Sequence, residues 1–423
     1  MKRHFRLPAA FALACWLAVP APAQTATPQS SNLLTLEEAS EQFLKRNLAL
    51  EAARFEVGVA EAERVGARLR PRPGLTVSAE NLRVSGPTPT GRLYEFGATF
   101  AQPFELGGRQ RRREEVAERT VSVAEARLTE VLRRRLFELR RTYYEGVLAR
   151  SLLAIEQENS DNFGELVRFN TARFEEGYIS EGELIKVRLE RIKFASAVAN
   201  AALAFRQTKV RLLGMLGESD YERAAALDVS GRLEFRPVNV DLAGLRQAAL
   251  ANRPEVKVAE AEVALAESVF KLERSRAKGE VTPYAGYRRV GVDNTVLVGV
   301  TVPLPFGNRN QGGIARAEAE QRVAETNVRM ARNRALAEVE SAYRSYETAS
   351  ELVKAYEAGI LKQADESRDI ALAAYREGVT DLITLIDAQR TRAEVRTNYY
   401  RALLDYQTSL FQLEMVTGVE IKS

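Results

Sequence analysis

The sequence contains one short segment twice, and the two copies lie 200 positions apart. The first copy reads Pro103-Phe104-Glu105-Leu106-Gly107-Gly108-Arg109-Gln110, and the second reads Pro303-Leu304-Pro305-Phe306-Gly307-Asn308-Arg309-Asn310. In each copy, proline and glycine stand directly before a long, strongly charged run with helical periodicity. Proline lacks a backbone donor and clashes with a preceding helical turn, so each segment predicts a switch into a new helix.

The duplication extends over most of the chain. Tyr143 is matched by Tyr343, and Phe174-Glu175-Glu176-Gly177 is matched by Tyr375-Arg376-Glu377-Gly378. These matches predict two structural repeats, which we place at 36–217 and 241–418, with a linker at 218–240 and a short tail at 419–423. The period is too long for a solenoid. The pattern therefore predicts one set of elements that is used twice.

The sequence pattern of each repeat predicts a helix, a β-hairpin, a very long helix and a return helix, in that order. The opening helices are expected at Leu36–Leu69 and Leu242–Lys278, and the hairpins at 74–102 and 281–302. Apolar residues alternate with polar or small ones in the hairpins, which is the pattern of strands with one apolar face. Each strand is expected to have about nine to eleven residues, the length of a tilted membrane-spanning strand.

The long helix of the second repeat carries a narrow stripe of mostly small apolar residues. Its members are Ile314, Ala317, Ala324, Val328, Ala331, Ala335, Val339, Ala342, Tyr346, Ala349, Val353, Tyr356 and Ile360. With Gln321 included, the spacings alternate between three and four with one additional four, which is a coiled-coil period with a stutter. This pattern predicts a nearly straight, unbroken helix from Gly312 to Gly378, roughly 100 Å long at 1.5 Å per residue.

Four strands cannot close a barrel, because closed membrane barrels begin at about eight strands. Open strand edges are costly in lipid, so several chains must combine if the hairpins enter a membrane. The alternative is a pair of soluble hairpins packed on helices. We favour the membrane interpretation because the sequence offers no obvious element to cover the hairpins.

The N-terminus has the pattern of a secretory signal peptide. Three basic residues fall within the first six positions, an apolar run follows, and Ala21-Pro22-Ala23 is a small-residue cleavage site. We therefore expect a signal peptide at 1–23 and an N-terminal segment at 24–35. The alternative is a lipoprotein acylated at Cys15, but Ala12 stands where a large aliphatic residue is expected.

Composition argues against most enzyme chemistry. The chain has one His, one Cys and one Trp, and His4, Cys15 and Trp16 all fall inside the expected signal peptide. The mature chain then has no residues for a Ser-His-Asp or Cys-His arrangement, a zinc site of the usual type or a disulfide. Carboxylates are mixed with arginines on helical patterns, as on solvated helix faces. We expect no catalytic site, no cofactor and no metal site.

Charge does not indicate a nucleic-acid partner. The net charge is +4, and the arginine run around Arg111 is followed at once by Glu114, Glu115 and Glu118. Binding to phosphate backbones requires a basic face without such acids. We therefore predict no nucleic-acid interface.

Two strings carry a resemblance to a known family. The string Gln102–Arg109 resembles the junction after the first hairpin in the TolC family of outer-membrane efflux channels. The string Val302–Gly312 resembles the matching junction in its cobalt-zinc-cadmium efflux subgroup. The order of elements in both repeats is also similar to that family.

The resemblance implies a mainly α fold with a membrane β-barrel portion. Three identical chains would form a twelve-stranded barrel in outer-membrane lipid and a twelve-helix α-barrel extending far into the periplasm of a Gram-negative bacterium. It implies two protein partners, a periplasmic adaptor and an inner-membrane efflux pump, and no covalent chemistry.

The same resemblance assigns roles to the two turns that follow the long helices. Adaptor docking is expected at the turn residues Gly177, Tyr178, Ser180, Gly378, Val379 and Asp381. Thr384 and Asp387 match positions that narrow the closed pore, although an acid often stands where this chain has Thr384. The residues themselves predict helix ends at the glycines and N-caps at Ser180 and Asp381.

The expected function is a passive efflux channel for heavy-metal cations. The alternatives are the same channel serving drugs or other small molecules, and a coiled-coil envelope scaffold without a pore. The sequence offers no path of metal-binding side chains from which a substrate could be identified.

Overall fold

The computed structural model describes residues 33–82, 84–87, 94–304 and 306–421. The predicted signal peptide, including Cys15, lies outside the described residues. The helices are α1 (Leu36–Arg46), α2 (Leu48–Ala67), α3 (Arg109–Glu175), α4 (Glu181–Met215), α5 (Leu242–Asn252), α6 (Pro254–Arg276), α7 (Gln311–Ala355), α8 (Leu361–Arg376) and α9 (Leu382–Thr417). The strands are β1 (Leu33–Leu34), β2 (Gly74–Glu80), β3 (Glu95–Ala101), β4 (Phe104–Glu105), β5 (Asp228–Val229), β6 (Glu280–Val290) and β7 (Asp293–Thr301).

The opening helix of each repeat is divided in two, which corrects the prediction of one continuous helix. In the first repeat, Asn47 has an extended backbone, and its side chain accepts hydrogen bonds from the N–H groups of Ala49 and Leu50, which starts α2. In the second repeat, Pro254 occupies the first turn of α6, and the preceding Arg253 is extended. Proline disfavours a helical conformation at the residue before it, so α5 ends there.

Both hairpins join one antiparallel sheet in the order β2-β3-β6-β7. The strands of the first repeat have 7 residues each, shorter than predicted, whereas β6 has 11 and β7 has 9. Asn81, which follows β2, has a positive φ of 57°, and its amide donates to Glu95 at 3.1 Å. This turn ends β2 earlier than the period-two pattern indicates.

The long helices pack side by side in a row. Near the sheet, α2 packs against α3, α3 against α6 and α6 against α7. Toward the opposite end, α4 packs against α3, α3 against α9 and α9 against α8. The α3 helix alone has 67 residues, about 100 Å at 1.5 Å per residue. Small buried side chains such as Ala317, Ala335 and Ala342 on α7 allow the close packing that the alanine stripe predicts.

The long helix of the second repeat is broken, contrary to the prediction of an unbroken rod. A π-helical turn spans Tyr356–Ile360, and Gly359 leaves the helical conformation with φ 166°. Tyr399 on α9 donates to Glu357 at 3.0 Å beside this break. Burial and that hydrogen bond raise the pKa of Tyr399 to about 12. The apolar stripe continues across the break through Tyr356 and Ile360, so it gave no sign of the interruption.

A belt of short elements covers one face of the helical row at mid-height. It consists of α1, α5, β1, β5 and the predicted linker, in which a 3-10 turn at Tyr221–Ala224 precedes β5. The hydroxyls of three long-helix tyrosines donate to its carbonyls: Tyr143 to Leu34, Tyr346 to Val238 and Tyr406 to Arg236. The largest buried apolar cluster lies beneath this belt.

Within the described part of the chain, no helix is both long enough and apolar enough to cross a bilayer.

Candidate channel wall and helix tips

One face of the sheet is apolar on all four strands, except where Arg289 and Asn294 lie on it near the β6–β7 turn. The strand register aligns Leu75 with Phe100, Phe100 with Ala285 and Ala285 with Val298, and the rows beside this one are similar. We call this the apolar face; its further members include Val77, Ala79, Phe96, Ala98, Pro283, Tyr287, Val296 and Val300. Val296 and Val298 are each 79% exposed, because no described element covers them. An exposed continuous apolar band of this kind marks an interaction surface, here one suited to lipid.

The opposite face of the sheet, which we call the polar face, carries small and polar side chains. The register aligns Thr76 with Thr99 and Ser78 with Gly97 across the first two strands. Arg288 on β6 forms an ion pair with Glu95 on β3 at 3.2 Å. Leu297 is the main aliphatic exception. One apolar face and one polar face are what a membrane barrel wall requires.

The row of helices and strands has two free edges. Within the described residues, β2 and β7 each pair on one side only. The helices continue these edges, with α2 and α4 on one side and α7 and α8 on the other. Both edges expose apolar stripes. The first edge has Phe55, Val59, Val65, Ile185, Leu189 and Ile192, and the second has Val323, Met330, Leu352, Ile360 and Ile370.

The turns at the far end of the helices have the predicted geometry. Gly177 and Gly378 adopt positive φ values of 81° and 73°, which reverse the chain after α3 and α8. Tyr178 N–H then donates to Arg173 at 2.8 Å, and Val379 N–H donates to Ala374 at 2.8 Å. Each turn is thus closed by backbone hydrogen bonds.

Both predicted N-caps are present. Ser180 accepts from the N–H of Glu183 at 3.3 Å, and the Glu183 carboxylate accepts from the N–H of Ser180 at 3.1 Å. Asp381 accepts from the N–H of Thr384 at 2.9 Å. That backbone hydrogen bond, together with the one from the Thr384 hydroxyl, lowers the pKa of Asp381. The lowered pKa means that this contribution to the cap is complete above the ordinary aspartate pKa and is lost as pH falls through the lowered value.

The two tips pack against each other through a second apolar cluster. It contains Phe163, Leu166, Val167, Val187, Phe194, Ala371, Tyr375, Leu382, Leu385 and Ile386. Tyr375 hydrogen-bonds to Asn170 across the two repeats, and Arg173 lies 5.5 Å from the Tyr375 ring centroid. In contrast, Tyr178 and Val379 at the turns are 71% and 77% exposed. The cluster holds the two tips against each other, while the exposed turn residues can contact another protein.

The two predicted gate residues have different surroundings. The Thr384 hydroxyl donates to the Asp381 carboxylate at 2.7 Å, so it belongs to the N-cap. Asp387 is exposed on α9 and forms no ion pair with any other described residue. Its equivalent in the first repeat, 201 positions earlier, is the exposed Lys186. The Thr384 hydroxyl is therefore engaged in the N-cap of α9, whereas the Asp387 carboxylate has no ion-pair partner among the described residues.

An ionic layer beyond Asp387 was not predicted from the sequence. Arg392 is nearly buried and contacts Asp365 at 2.5 Å and Glu158 at 3.1 Å, so it joins α9 to α8 and α3. Arg390 contacts Glu190 on α4 at 2.5 Å. Removing the acidic partners of the buried Arg392 would leave its charge uncompensated, so these contacts help to fix the positions of α9, α8 and α3. No local sequence signal reveals it, because its members are far apart along the chain.

Comparison with known proteins identifies the family. A profile of the outer membrane efflux protein family matches residues 39–218 and 245–419, which is most of the chain. The chain belongs to the outer membrane efflux protein family. This confirms the resemblance found in the sequence and places the protein in the outer membrane, in a family of transport conduits.

Relatives in the outer membrane efflux protein family cover much of the chain. The cobalt-zinc-cadmium resistance protein CzcC of Cupriavidus metallidurans is 26% identical over 400 residues, covering 92% of this chain and 91% of CzcC. The nickel and cobalt resistance protein CnrC of the same organism is 30% identical over 300 residues, covering 68% of each chain. The crystal structure of CusC has a TM-score of 0.76 at 18% identity, over 91% of this chain and 92% of CusC. That likeness establishes the fold.

Gly378→Glu is expected to impair docking of an adaptor at the tips of this family member. A Cβ at Gly378 meets no atom within 4 Å, so the cost to folding is the positive φ, roughly 1–2 kcal/mol. The new charge lies beside the exposed Val379, and we expect adaptor affinity to fall at least about tenfold, or ~1.4 kcal/mol. Affinity would be measured by surface plasmon resonance with the purified adaptor.

Gly378→Asn is the matched control, because asparagine tolerates positive φ without adding charge. It should bind the adaptor almost as the unmodified protein does. Unchanged affinity in the correctly assembled Gly378→Glu variant would show that this turn takes no part in docking.

Asp387→Ala is expected to increase leak through the resting channel while leaving adaptor affinity unchanged. Asp387 supports no cap and forms no described ion pair, so its removal should not disturb the tips. Conductance in planar bilayers measures the leak, with Lys186→Ala as the control at the equivalent position of the first repeat. A resting conductance identical to that of the unmodified protein would remove Asp387 from the gate.

Proposed function

We propose that three copies of this chain close into a ring that forms the outer-membrane conduit of a three-part efflux system. The observation that carries the proposal is the pair of free edges on a sheet with one exposed apolar face. Backbone groups at an open edge are costly in lipid, and closure into a barrel satisfies them. Three copies of a four-stranded sheet supply twelve strands, which is within the range of closed membrane barrels.

The helical edges support the same arrangement. The stripe on α2 and α4 faces away from the row on one side, and the stripe on α7 and α8 does so on the other. Different surfaces that meet head to tail produce a closed ring when the rotation between copies allows it. Burial of these stripes between neighbours removes exposed leucine, isoleucine and valine from water, each worth about 1.5–3 kcal/mol when fully buried.

The proposed system has two further partners. The tips, with exposed Tyr178 and Val379, dock a periplasmic adaptor, and an inner-membrane pump supplies substrate and energy. The long helices extend roughly 100 Å from the sheet, so the tips lie well inside the periplasm. The chain itself performs no covalent chemistry, and nucleic acid is not among its partners.

The proposed cargo is heavy-metal cations, supported by the names of CzcC and CnrC. The test is a deletion strain challenged with cobalt, zinc, cadmium and nickel, and with dyes and antibiotics. Increased sensitivity to the metals, restored by the intact gene, is the expected result. Sensitivity confined to dyes and antibiotics would show that the cargo is drugs and not metals. No sensitivity to either class would contradict the efflux function.

Metal export through this subunit should not require a tight metal site. No group of three or more metal-binding His, Cys, Asp or Glu side chains occurs among the described residues, and the mature sequence has no His or Cys. Scattered carboxylates bind transition metals weakly compared with thiolate or imidazole sites. Calorimetry of the purified protein with zinc, cobalt and copper should detect only weak binding. A submicromolar site would contradict the idea of an unselective conduit.

A further inference from the structure

A groove of about 930 Å³ lies where the sheet meets the helices. Its walls come from the connection between α2 and β2 and from the segment that leads through β4 into α3. The side chains that matter here are Arg70, Arg72, Phe104, Arg111 and Glu114. The predicted channel function uses none of them.

The groove has an excess of unpaired positive charge. No carboxylate of a described residue lies within 4.0 Å of the guanidinium groups of Arg70, Arg72 or Arg111, and all three residues are exposed. Glu105 in the same wall is already bound by Arg113 at 2.7 Å and Arg109 at 3.6 Å. Most other arginines on α3 are paired with acids, as Arg112 is with Glu115 at 2.6 Å, although Arg119, Arg133 and Arg173 are exceptions among the described ion pairs.

Glu114 is the remaining acid of the groove, and it accepts a hydrogen bond from Gln110 at 3.3 Å. Three arginines without an acidic partner therefore line the same groove as one carboxylate that already has a neutral partner. The local field favours an anion, and a planar guanidinium suits the oxygens of a phosphate.

The groove adjoins the apolar face of the sheet. Phe104 pairs with Val281, and Val281 lies on the same face of β6 as Ala285 and Tyr287 because side chains alternate along a strand. Phe104 is half exposed and marks the end of the apolar face nearest the helices. An apolar band that ends in unpaired arginines matches the boundary between acyl chains and headgroups, where long basic side chains reach the polar layer.

We propose that this groove binds an anionic phospholipid of the leaflet nearest the helices. The guanidinium groups of Arg70, Arg72 and Arg111 bind the headgroup phosphate, and an acyl chain lies along Phe104 and the apolar face. The proposal rests on the membrane position of the sheet given above and identifies where one lipid is held. Continuity with the apolar face favours a lipid over free phosphate, because free phosphate would leave Phe104 uncovered.

The second repeat does not reproduce the arginine arrangement. The position equivalent to Arg111 is Gln311, and the connection before β6 carries Lys278 and Gly279 instead of two arginines around a proline. Each chain therefore has one such site, in the first repeat. Arg111→Gln is therefore a mild substitution, because it introduces the residue that the second repeat has at the equivalent position, Gln311.

The test uses native mass spectrometry of the full-length protein in mild detergent, titrated with phosphatidylglycerol or zwitterionic phosphatidylcholine. The unmodified protein should retain phosphatidylglycerol preferentially. The triple variant Arg70→Gln, Arg72→Gln, Arg111→Gln should bind it at least about tenfold more weakly, because it loses the three charged donors to the headgroup phosphate. Arg111→Gln alone should give a smaller loss.

The matched control removes three exposed arginines elsewhere, Arg188, Arg232 and Arg329, and should retain phosphatidylglycerol like the unmodified protein. Inorganic phosphate at equal concentration should not displace the lipid. Equal phosphatidylglycerol retention by a correctly assembled triple variant, equal retention of both lipids, or displacement by phosphate would each overturn the lipid site. None of these three results would contradict the proposed channel function. Failure of the unmodified protein to enter membranes would overturn the proposed function instead.

Discussion

Leu189→Asp combined with Ile192→Asp on α4 is expected to yield folded single chains that do not assemble into a channel. Both side chains belong to the free-edge stripe, and they are 56% and 62% exposed in the single chain. Leu184 and Val187, on other faces of α4, are buried within the chain. The substitutions therefore spare the intrachain core and act on the contact between copies.

The expected effect is large because it is repeated at every interface of the ring. Each substitution forfeits part of the roughly 1.5–3 kcal/mol that complete burial of such a side chain is worth, because each side chain is already partly buried in the single chain. It also places a carboxylate among the apolar side chains of the stripe, and burial of a charge without a partner costs more. Size-exclusion chromatography with light scattering in detergent should show monomers.

Arg191→Asp with Ala195→Asp is the control, because it adds the same two acids to the same helix about a quarter-turn away from the stripe. Both positions are exposed. This control should assemble normally. Normal assembly of the Leu189/Ile192 variant would show that α4 does not lie at an interface between copies.

Val298→Arg is expected to prevent stable insertion of the barrel, whereas Leu297→Arg is tolerated. The two residues are neighbours on β7 and lie on opposite faces, Val298 on the apolar face and Leu297 on the polar face. Arginine on the lipid side of a barrel costs about 2–4 kcal/mol near the bilayer centre, while lumenal substitutions alter selectivity. The cost applies once per chain.

Heat-modifiable migration in gels and the yield from outer-membrane fractions measure the outcome. The Val298→Arg variant should lose the heat-modifiable form and accumulate outside the membrane, and Leu297→Arg should resemble the unmodified protein. Equal tolerance of both variants would mean that the apolar face does not contact lipid.

Much of this architecture could be predicted from the sequence because its signals are local or repeated. Period-two alternation around Phe96 and Val298 predicted strands, and the duplicated junctions predicted where helices resume. Gly177 and Gly378 predicted the turns, since a positive φ at a helix end favours glycine. Ser180 and Asp381 predicted the caps for the same kind of local reason.

The break before Pro254 had a local signal, the proline itself, which the prediction of one continuous helix overlooked. The other differences between prediction and structure have two physical causes. Asn47 and Gly359 interrupt helices whose apolar pattern continues on both sides, so periodicity alone could not detect them. The ionic layer around Arg392 joins Glu158 and Asp365 across three helices. In the sequence those residues look like ordinary solvated charges, and only the packing of distant helices brings them together.

Single-particle reconstruction of the full-length protein in lipid nanodiscs would show directly whether the chains form a ring. We expect three chains around one axis, with β2 of each chain paired to β7 of the next and the apolar face turned toward lipid. We also expect an open lumen bounded by the polar face and continued by the long helices. A single chain with unpaired strand edges, or an assembly whose sheets enclose no lumen, would contradict the proposed ring.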